Sequence, residues 1–585
     1  MELDAQQQIA VETDSPRALV LAGAGSGKTR VLIERIAHLI ENKHVSSYEI
    51  LAISFTRKSA QEMRTRLEER IGSAAFHVNM GTMHAQALSM IRRFGDTLGI
   101  RPKSLTVYSD WENNFLLKEI AIEMGVYKGK VWKIPYKKEI APLFADYYER
   151  GIEPNPLAKG YPLFKAFMAR CRKNNSMPYG GLLFGLELLI PVMAKHLHIR
   201  HILVDEVQDL DPLQWRIINA MVEAFGAKLF VVGDIDQSIY SFRGAVPEYL
   251  VDHADDFDIY RLEMNYRSDR NVVTAANTLI EHNQNRLEKT MQAFEDAQTP
   301  IDVIKNVDSD AMVGLIKSKL DGGQAAEGIA VLSPVHALLK KLSQMLTDAD
   351  VPHTYAGKKS ELTRSEGFRR FHAFLKLLVN PYDNFSFLLI RDMVGLSIGD
   401  YKKIRFAALN QGKSHFQAWM STPTLKGAGW QSWFEESYDY SMETVSWALG
   451  KRLYGAEESE PFLFIKEWIG GNPHGNIKEY LDWLTTYDLQ DEIEEKNEGV
   501  LLSTIHGAKG LEFPSVIIAG VNEGLLPSKR AIQNEELEDT RRLAYVAWTR
   551  AEDKLIIAVR PESKEDARGH VHVNPISRFV AESGL

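Results

Sequence analysis

Two short stretches of the chain hold residues whose types and spacing suit phosphate chemistry. Ala22-Gly23-Ala24-Gly25-Ser26-Gly27-Lys28-Thr29 follows the apolar run Arg17 to Ala22 and precedes a segment with helical spacing of Val31, Ile33, Ile36, Leu39 and Ile40. This strand, loop and helix is the context of a P-loop, whose glycines let the backbone N–H groups of Ala24, Gly25, Ser26 and Gly27 turn inward around phosphate oxygens. Lys28 then reaches the outer phosphates, and the Thr29 hydroxyl can ligate Mg²⁺. Ala22 stands where the strict pattern has glycine, which leaves the turn glycines intact. The second stretch, His201 to Glu206, is a buried-type strand ending in two carboxylates. Mg²⁺ prefers carboxylate and water oxygens, so Asp205 is read as a metal ligand and Glu206 as the group that positions or deprotonates water. An isolated acid pair at a strand end is commonly just solvated, but here Val207-Gln208-Asp209 follows it.

Such residues work only if a scaffold brings them together. Short apolar runs recur at Ile50 to Phe55, Phe76 to Met80, His201 to Val204 and Lys228 to Val232, mostly separated by helical stretches. Alternation of this kind predicts a parallel sheet covered by helices, with ligands at the carboxyl ends of its strands. A second set lies at Ile301 to Val307, Gly328 to Leu332, Val500 to Ile505, Ser515 to Ala519 and Lys554 to Val559, which predicts a second α/β domain. Two long, mainly helical segments interrupt the sets. The expected division is 1–94 with 198–266, an insertion at 95–197, then 267–370 with 495–585, and an insertion at 371–494.

Composition narrows the class further. At 585 residues the chain is long enough for three to five compact units, and 45% hydrophobic against 25% charged residues is ordinary for a globular protein. A net charge of -9 argues against a bulk basic field, so any nucleic-acid contact must be local. The single cysteine, Cys171, excludes an intramolecular disulfide and fits a reducing compartment. With no leader-like N-terminus and no membrane-length apolar run, a soluble, cytoplasmic protein is expected.

Further motifs follow in order. They are Leu3 to Val11, Ser54 to Met63, Gly81-Thr82-Met83-His84, Gly233 to Ala245, Asn265-Tyr266-Arg267-Ser268, Thr504 to Phe513 and Arg541 to Ala551. Together with the P-loop and the acid pair, they resemble the superfamily 1A DNA helicases, the UvrD, Rep and PcrA group, along nearly the whole chain. The resemblance implies an α/β fold of two RecA-like P-loop NTPase domains, each with a mainly helical insertion subdomain.

It also implies roles. Gln7 reads the adenine edge, since a carboxamide donates and accepts at once. Tyr266 stacks on adenine opposite Arg30, and Glu512 faces the ribose. Gln237 senses the γ-phosphate, while Arg267 and Arg550 are arginine fingers, always ionised and forked to fit phosphate. Single-stranded DNA would meet Phe55, Thr56, Thr82, His84, Tyr240, Phe242, Arg243, Thr504 and His506. A basic and aromatic run, Tyr127 to Lys138, is a candidate strand-binding surface, and the turn Gly395 to Lys403 a candidate duplex contact. The hairpin that wedges the duplex is expected near Arg568-Gly569, where an aromatic of relatives is replaced by Arg568. The second insertion is shorter than is usual in the group, and no C-terminal partner-binding segment or fused nuclease is expected.

The activity implied is an ATP- and Mg²⁺-dependent helicase that translocates 3′ to 5′ on single-stranded DNA and acts at single-strand/duplex junctions, with a repair, replication or nuclease partner left open. A translocase that strips proteins, or serves a nuclease and unwinds poorly alone, is the alternative. A non-enzymatic ATP-gated DNA-binding subunit is a third reading, although it requires none of Lys28, Glu206, Arg267 and Arg550.

Overall fold

The computed structural model describes residues 2–126, 137–356, 362–422, 428–438, 440–455, 458–485, 499–561, 563–565 and 571–585. The basic run Tyr127 to Lys138, apart from its last two residues, and the hairpin at Arg568-Gly569 lie outside the described residues. The chain divides into two compact units, Met1–Met83 with Leu197–Ser360 and Asp488–Leu585, and His84–His196 with Glu361–Tyr487.

The first unit holds two six-stranded parallel sheets. One runs Asn79–Thr82, Ile50–Ser54, His201–Val204, Lys228–Gly233, Arg17–Ala22, Asp258–Leu262. The other runs Asp302–Ile304, Ala551–Ala558, Phe513–Ala519, Ile329–Ser333, Val500–Thr504, His353–Tyr355. Their central strands are continuous apolar runs because helices cover both faces of a parallel sheet. Since all strands of a sheet point the same way, Ala22, Ser54, Thr82, Val204 and Gly233 end on one edge, and the loops that follow share it.

The strand expected at Phe76 to Met80 is displaced. Gly72–His77 is a 3₁₀ turn with Phe76 exposed, and pairing begins only at Asn79, opposite Leu51. Asp258–Leu262 and His353–Tyr355 are edge strands whose polar, half-exposed residues hid them from an apolar-run reading.

The two helical segments share one core in the second unit. Tyr108, Leu117, Phe164 and Phe167 of the first pack with Phe371, Phe374, Phe385, Trp419, Phe434 and Tyr480 of the second. A buried polar network also joins them. The Tyr108 hydroxyl donates to Asp383 at 2.5 Å, Asn380 Nδ2 donates to Thr106 Oγ1 at 2.8 Å, and Asn384 Nδ2 to Asn174 Oδ1 at 3.0 Å. The segments are thus separate insertions in sequence and one body in space. No helix among the described residues is long and apolar enough to cross a membrane.

His372 makes this body sensitive to acid. Its ring is buried, with Nδ1 2.7 Å from the Phe368 carbonyl and Nε2 2.7 Å from the Tyr480 hydroxyl, and burial pushes it down to about 3 from 6.5. A base with a depressed folded pKa gives stability that is complete above the unfolded value and lost as pH falls below it. Stability is therefore expected to fall below pH 6.5 by up to about 1.4 kcal/mol per pH unit from this group. Calorimetry should find a lower thermal midpoint at about pH 5 than at about pH 7, with a shallower fall in His372→Gln.

Candidate nucleotide and nucleic-acid site

The P-loop is held from behind. Gly25 and Gly27 have φ of +67° and +83°, which side chains rarely adopt, and a Cβ on Gly25 would lie 2.7 Å from both Asn265 Oδ1 and the Arg267 Cβ. Asn265 Nδ2 donates to the Ala24 carbonyl at 2.9 Å, the Tyr266 N–H to Gly25 at 2.9 Å, and Gln7 Nε2 to Ser26 at 3.0 Å. These bonds use up the loop's carbonyls on one side. The loop leads into the helix Lys28–Glu41, whose N-terminus is a place for an anion. Gln7 is so placed by Asp4, whose carboxylate accepts from the Gln7 N–H at 2.8 Å and from the Tyr266 hydroxyl at 2.6 Å. One donor and one lone pair of the Gln7 carboxamide remain for a base edge after its bonds to Ser26 and the Asp4 N–H. Arg30 carries its charge beside Tyr266.

Lys28 is half-buried and its Nζ donates to the Ala22 and Gly23 carbonyls at 3.3 and 3.4 Å. Burial lowers its pKa while the charges of Glu206, Asp234 and Asp205 oppose the fall, so the P-loop amine faces all three acids. Burial, and Glu206 beside it, push Asp205 up from the usual carboxylate range. For Glu206 burial is outweighed by Lys509 and Lys28, which hold it below its ordinary value. Its backbone is left-handed, φ 50°, and Gln208 Nε2 donates to its carboxylate. The pair thus splits into a cation-seeking acid and an ionised one. Thr29 occupies the first turn of the P-loop helix. Among the described residues no group of three or more His, Cys, Asp or Glu could hold a metal by itself. One carboxylate and one hydroxyl beside a phosphate cradle nevertheless suit Mg²⁺, which keeps most of its other ligands as water or phosphate oxygen.

Arginines come from the second sheet's side. Glu512 and Arg550 directly precede the neighbouring strands Phe513–Ala519 and Ala551–Ala558. Arg267 Nη2 lies 2.5 Å from Glu512 Oε2, which places the residue expected at the ribose against one of the arginines expected to be a finger. Arg550 is buried, donating to the Val546 carbonyl at 3.1 Å and the Leu511 carbonyl at 2.9 Å, and is pushed down to about 9 by burial and by Arg267. A buried guanidinium that feels the charge of a second, half-buried one suits an anion.

The aromatic residues gather next to this site. Phe55 stacks on Tyr240 with centroids 5.0 Å apart, and Phe242 meets His506 edge-on at 5.2 Å. The Arg243 guanidinium lies 5.1 Å from the Tyr240 ring and 5.8 Å from that of Phe242. Phe242 is 68% exposed, whereas Tyr240 is buried and its hydroxyl donates to the His506 carbonyl at 3.3 Å. Burial pushes His506 down to about 4 with help from Arg243 and Lys509, so it is neutral. Thr56 caps the helix Arg57–Ile71, accepting from the Ser59 N–H at 3.0 Å, and Thr504 accepts from the Gly507 N–H at 3.2 Å. Thr82 is buried at the end of its strand. His84 falls in the helical unit, where it stacks on Tyr179 at 4.4 Å.

Four residues with no assigned role join the two groups. Lys509 Nζ donates to Asp209 and, at 2.9 Å, to the Gln237 carbonyl, and lies 5.1 Å from the Tyr240 ring. Asp209 is pushed up to about 7 by burial, against the pull of Lys509. Lys289 and Arg286 hold Asp234 and Asp236 in the loop that carries Gln237. Lys509 stands within a motif and Lys289 in none, so only the folded chain shows their partners.

Two family models match the chain. The UvrD/REP helicase N-terminal domain covers residues 3–258, and the UvrD-like helicase C-terminal domain residues 260–426 and 466–561. Proteins named ATP-dependent DNA helicase Rep, from Salmonella typhimurium and Escherichia coli, are each 30% identical over 100% of this chain and 94% of their own length. ATP-dependent DNA helicase PcrA of Bacillus subtilis is 29% identical over 99% of this chain and 85% of its own. With the P-loop, acid pair and arginines gathered by the fold, these matches make the chain a member of the UvrD/REP helicase family.

Proposed function

We propose that this protein is an ATP-dependent DNA helicase that translocates 3′ to 5′ on single-stranded DNA and acts at single-strand/duplex junctions. The observation that carries this reading is the convergence of Lys28, Asp205 and Glu206 from one sheet with Arg267 and Arg550 from beside the other. A nucleotide held by both sides draws the two sheets together, and loss of its γ-phosphate frees them. Thr29 and Asp205 would hold Mg²⁺, which neutralises phosphate charge. Glu206 orients or deprotonates the attacking water, and Gln237, Arg267 and Arg550 meet the γ-phosphate. The motor domains are taken as 1–94 with 198–266 and 267–370 with 495–585, the protein as cytoplasmic.

Hydrolysis with and without single-stranded DNA, alongside unwinding of 3′-tailed and 5′-tailed duplexes, tests this. DNA-stimulated hydrolysis with preference for the 3′ tail is expected. Equal unwinding of both tails contradicts the polarity. The poorly unwinding translocase is favoured by one feature of the second insertion. The helix Ile398–Gln411 is capped by its own Ser397 hydroxyl and Asp400 carboxylate, at 3.1 and 3.2 Å, which puts a negative charge where a duplex phosphate would dock. Strong hydrolysis without unwinding is its signature.

Phe242 supplies a separate check. Stacking on an aromatic is worth roughly 1–3 kcal/mol per base. Phe242→Ala is expected to weaken binding of a fluorescent single-stranded oligonucleotide by about that amount at fixed salt. As the ring is largely exposed, thermal stability should hold.

A further inference from the structure

Lys289 lies outside every motif of the nucleotide site, between the helix Arg270–Ile280 and the strand Gln292–Ala293. Its side chain is 2% exposed, and a buried ammonium is costly unless paired. Here Nζ donates to Asp234 Oδ1 at 2.5 Å and to Asp236 Oδ2. Arg286 adds a second cation, donating to Asp236 Oδ2 at 2.8 Å.

The other oxygen of Asp234 reaches the nucleotide site. Oδ2 accepts from Gln237 Nε2 at 2.6 Å, and Oδ1 also accepts from the Asp236 N–H at 3.0 Å. A carboxylate only accepts, so Gln237 must turn its amide nitrogen to Asp234, and the direction of its carbonyl oxygen is fixed with it. The Asp234 N–H donates to Gln208 Oε1 at 3.0 Å, and Gln208 in turn donates to Glu206. Two residues past Lys289, Met291 lies against the P-loop, where a Cβ on Gly23 would come within 1.9 Å of its sulfur. One short segment thus braces the loop of Gln237 and the P-loop together.

We infer that Lys289 is a positioning residue for hydrolysis, fixing the Gln237 carboxamide through Asp234. This rests on reading the site as an ATPase. Without the ammonium, Asp236 keeps Arg286 but Asp234 loses its bonded cation beside a second buried carboxylate, and relief comes by protonation. A protonated Asp234 can donate as well as accept, so the carboxamide loses its fixed orientation.

The test is a double-mutant cycle on the full chain with Lys289→Met and Gln237→Ala, reading DNA-stimulated hydrolysis and the binding of a fluorescent ATP analogue. Lys289→Met is expected to lower kcat by about tenfold or more with KM within about threefold, and to cost less than about twofold when Gln237 is already alanine. Lys289→Arg keeps the cation and the fold but changes its geometry, so it should lose less kcat and be equally silent in the Gln237→Ala background. It decides the matter if Lys289→Met does not fold. Losses that multiply, or a KM effect at unchanged kcat, overturn the role of Lys289 while leaving the ATPase reading intact. A wild-type chain that hydrolyses no ATP in the presence of DNA overturns the reading beneath it.

Discussion

Arg550→Ala is expected to reduce DNA-stimulated turnover by roughly 10³–10⁵-fold, the range over which an arginine finger acts on the charge of a transferring phosphoryl group. Single-stranded DNA binding should survive, because the aromatic cluster of Phe55, Tyr240, Phe242 and His506 is assembled without Arg550. The guanidinium is already desolvated, so its attraction for phosphate is not diluted by water. Its bonds to the Val546 and Leu511 carbonyls make some loss of thermal stability inevitable in the alanine variant. Arg550→Lys separates the effects. It keeps a charge but has no planar fork, and is expected to stay more than about 10²-fold slow. Turnover within tenfold of wild type in Arg550→Ala, measured as phosphate release at saturating ATP and DNA, removes Arg550 from the reaction.

Glu206→Gln is the second large effect, a fall in turnover of about 10²–10⁴-fold with ATP binding preserved. The substitution is nearly isosteric, and the new carboxamide oxygen can still accept from Gln208 Nε2 as the carboxylate does. What it loses is basicity and charge. Lys509 and Lys28 keep Glu206 ionised, so near neutral pH the wild-type group is ready to polarise water. Removing that charge should also ease nucleotide binding through weaker repulsion of the triphosphate. Equilibrium binding of a fluorescent ATP analogue should thus be unchanged or tighter while phosphate release collapses. Loss of binding in parallel with turnover means that Glu206 holds the loop rather than the water.

Much of the fold was legible because buried parallel strands leave a plain mark. Arg17–Ala22, His201–Val204 and Lys228–Gly233 are apolar on both faces, and each is followed by the polar loop it exists to position. The edge strands Asp258–Leu262 and His353–Tyr355 were not, since one face and one edge meet water and no apolar run forms. In the site, residues suited to meet a phosphate could be named from local spacing, as with the adjacent Lys28 and Thr29. Residues that hold those residues could not. Lys289 works on Asp234, which is 55 positions away, and Lys509 on Asp209, which is 300 away. The resemblance assigned Glu512 to a ribose, and the folded chain sets it against Arg267.

The sequence by itself determined the two parallel sheets, the phosphate loop and the acid pair, because each is written in contiguous residues whose spacing follows the period of a strand or the turn of a loop, and its ordered motifs carry the resemblance to the helicase family. Only the tertiary structure decided which charges face one another, that the two insertions share a core, and that a lysine outside every motif pairs with the carboxylate that accepts from Gln237. The reason is physical. A charge is costly to bury alone, and its partner is chosen by the packing of distant segments, which no local spacing records.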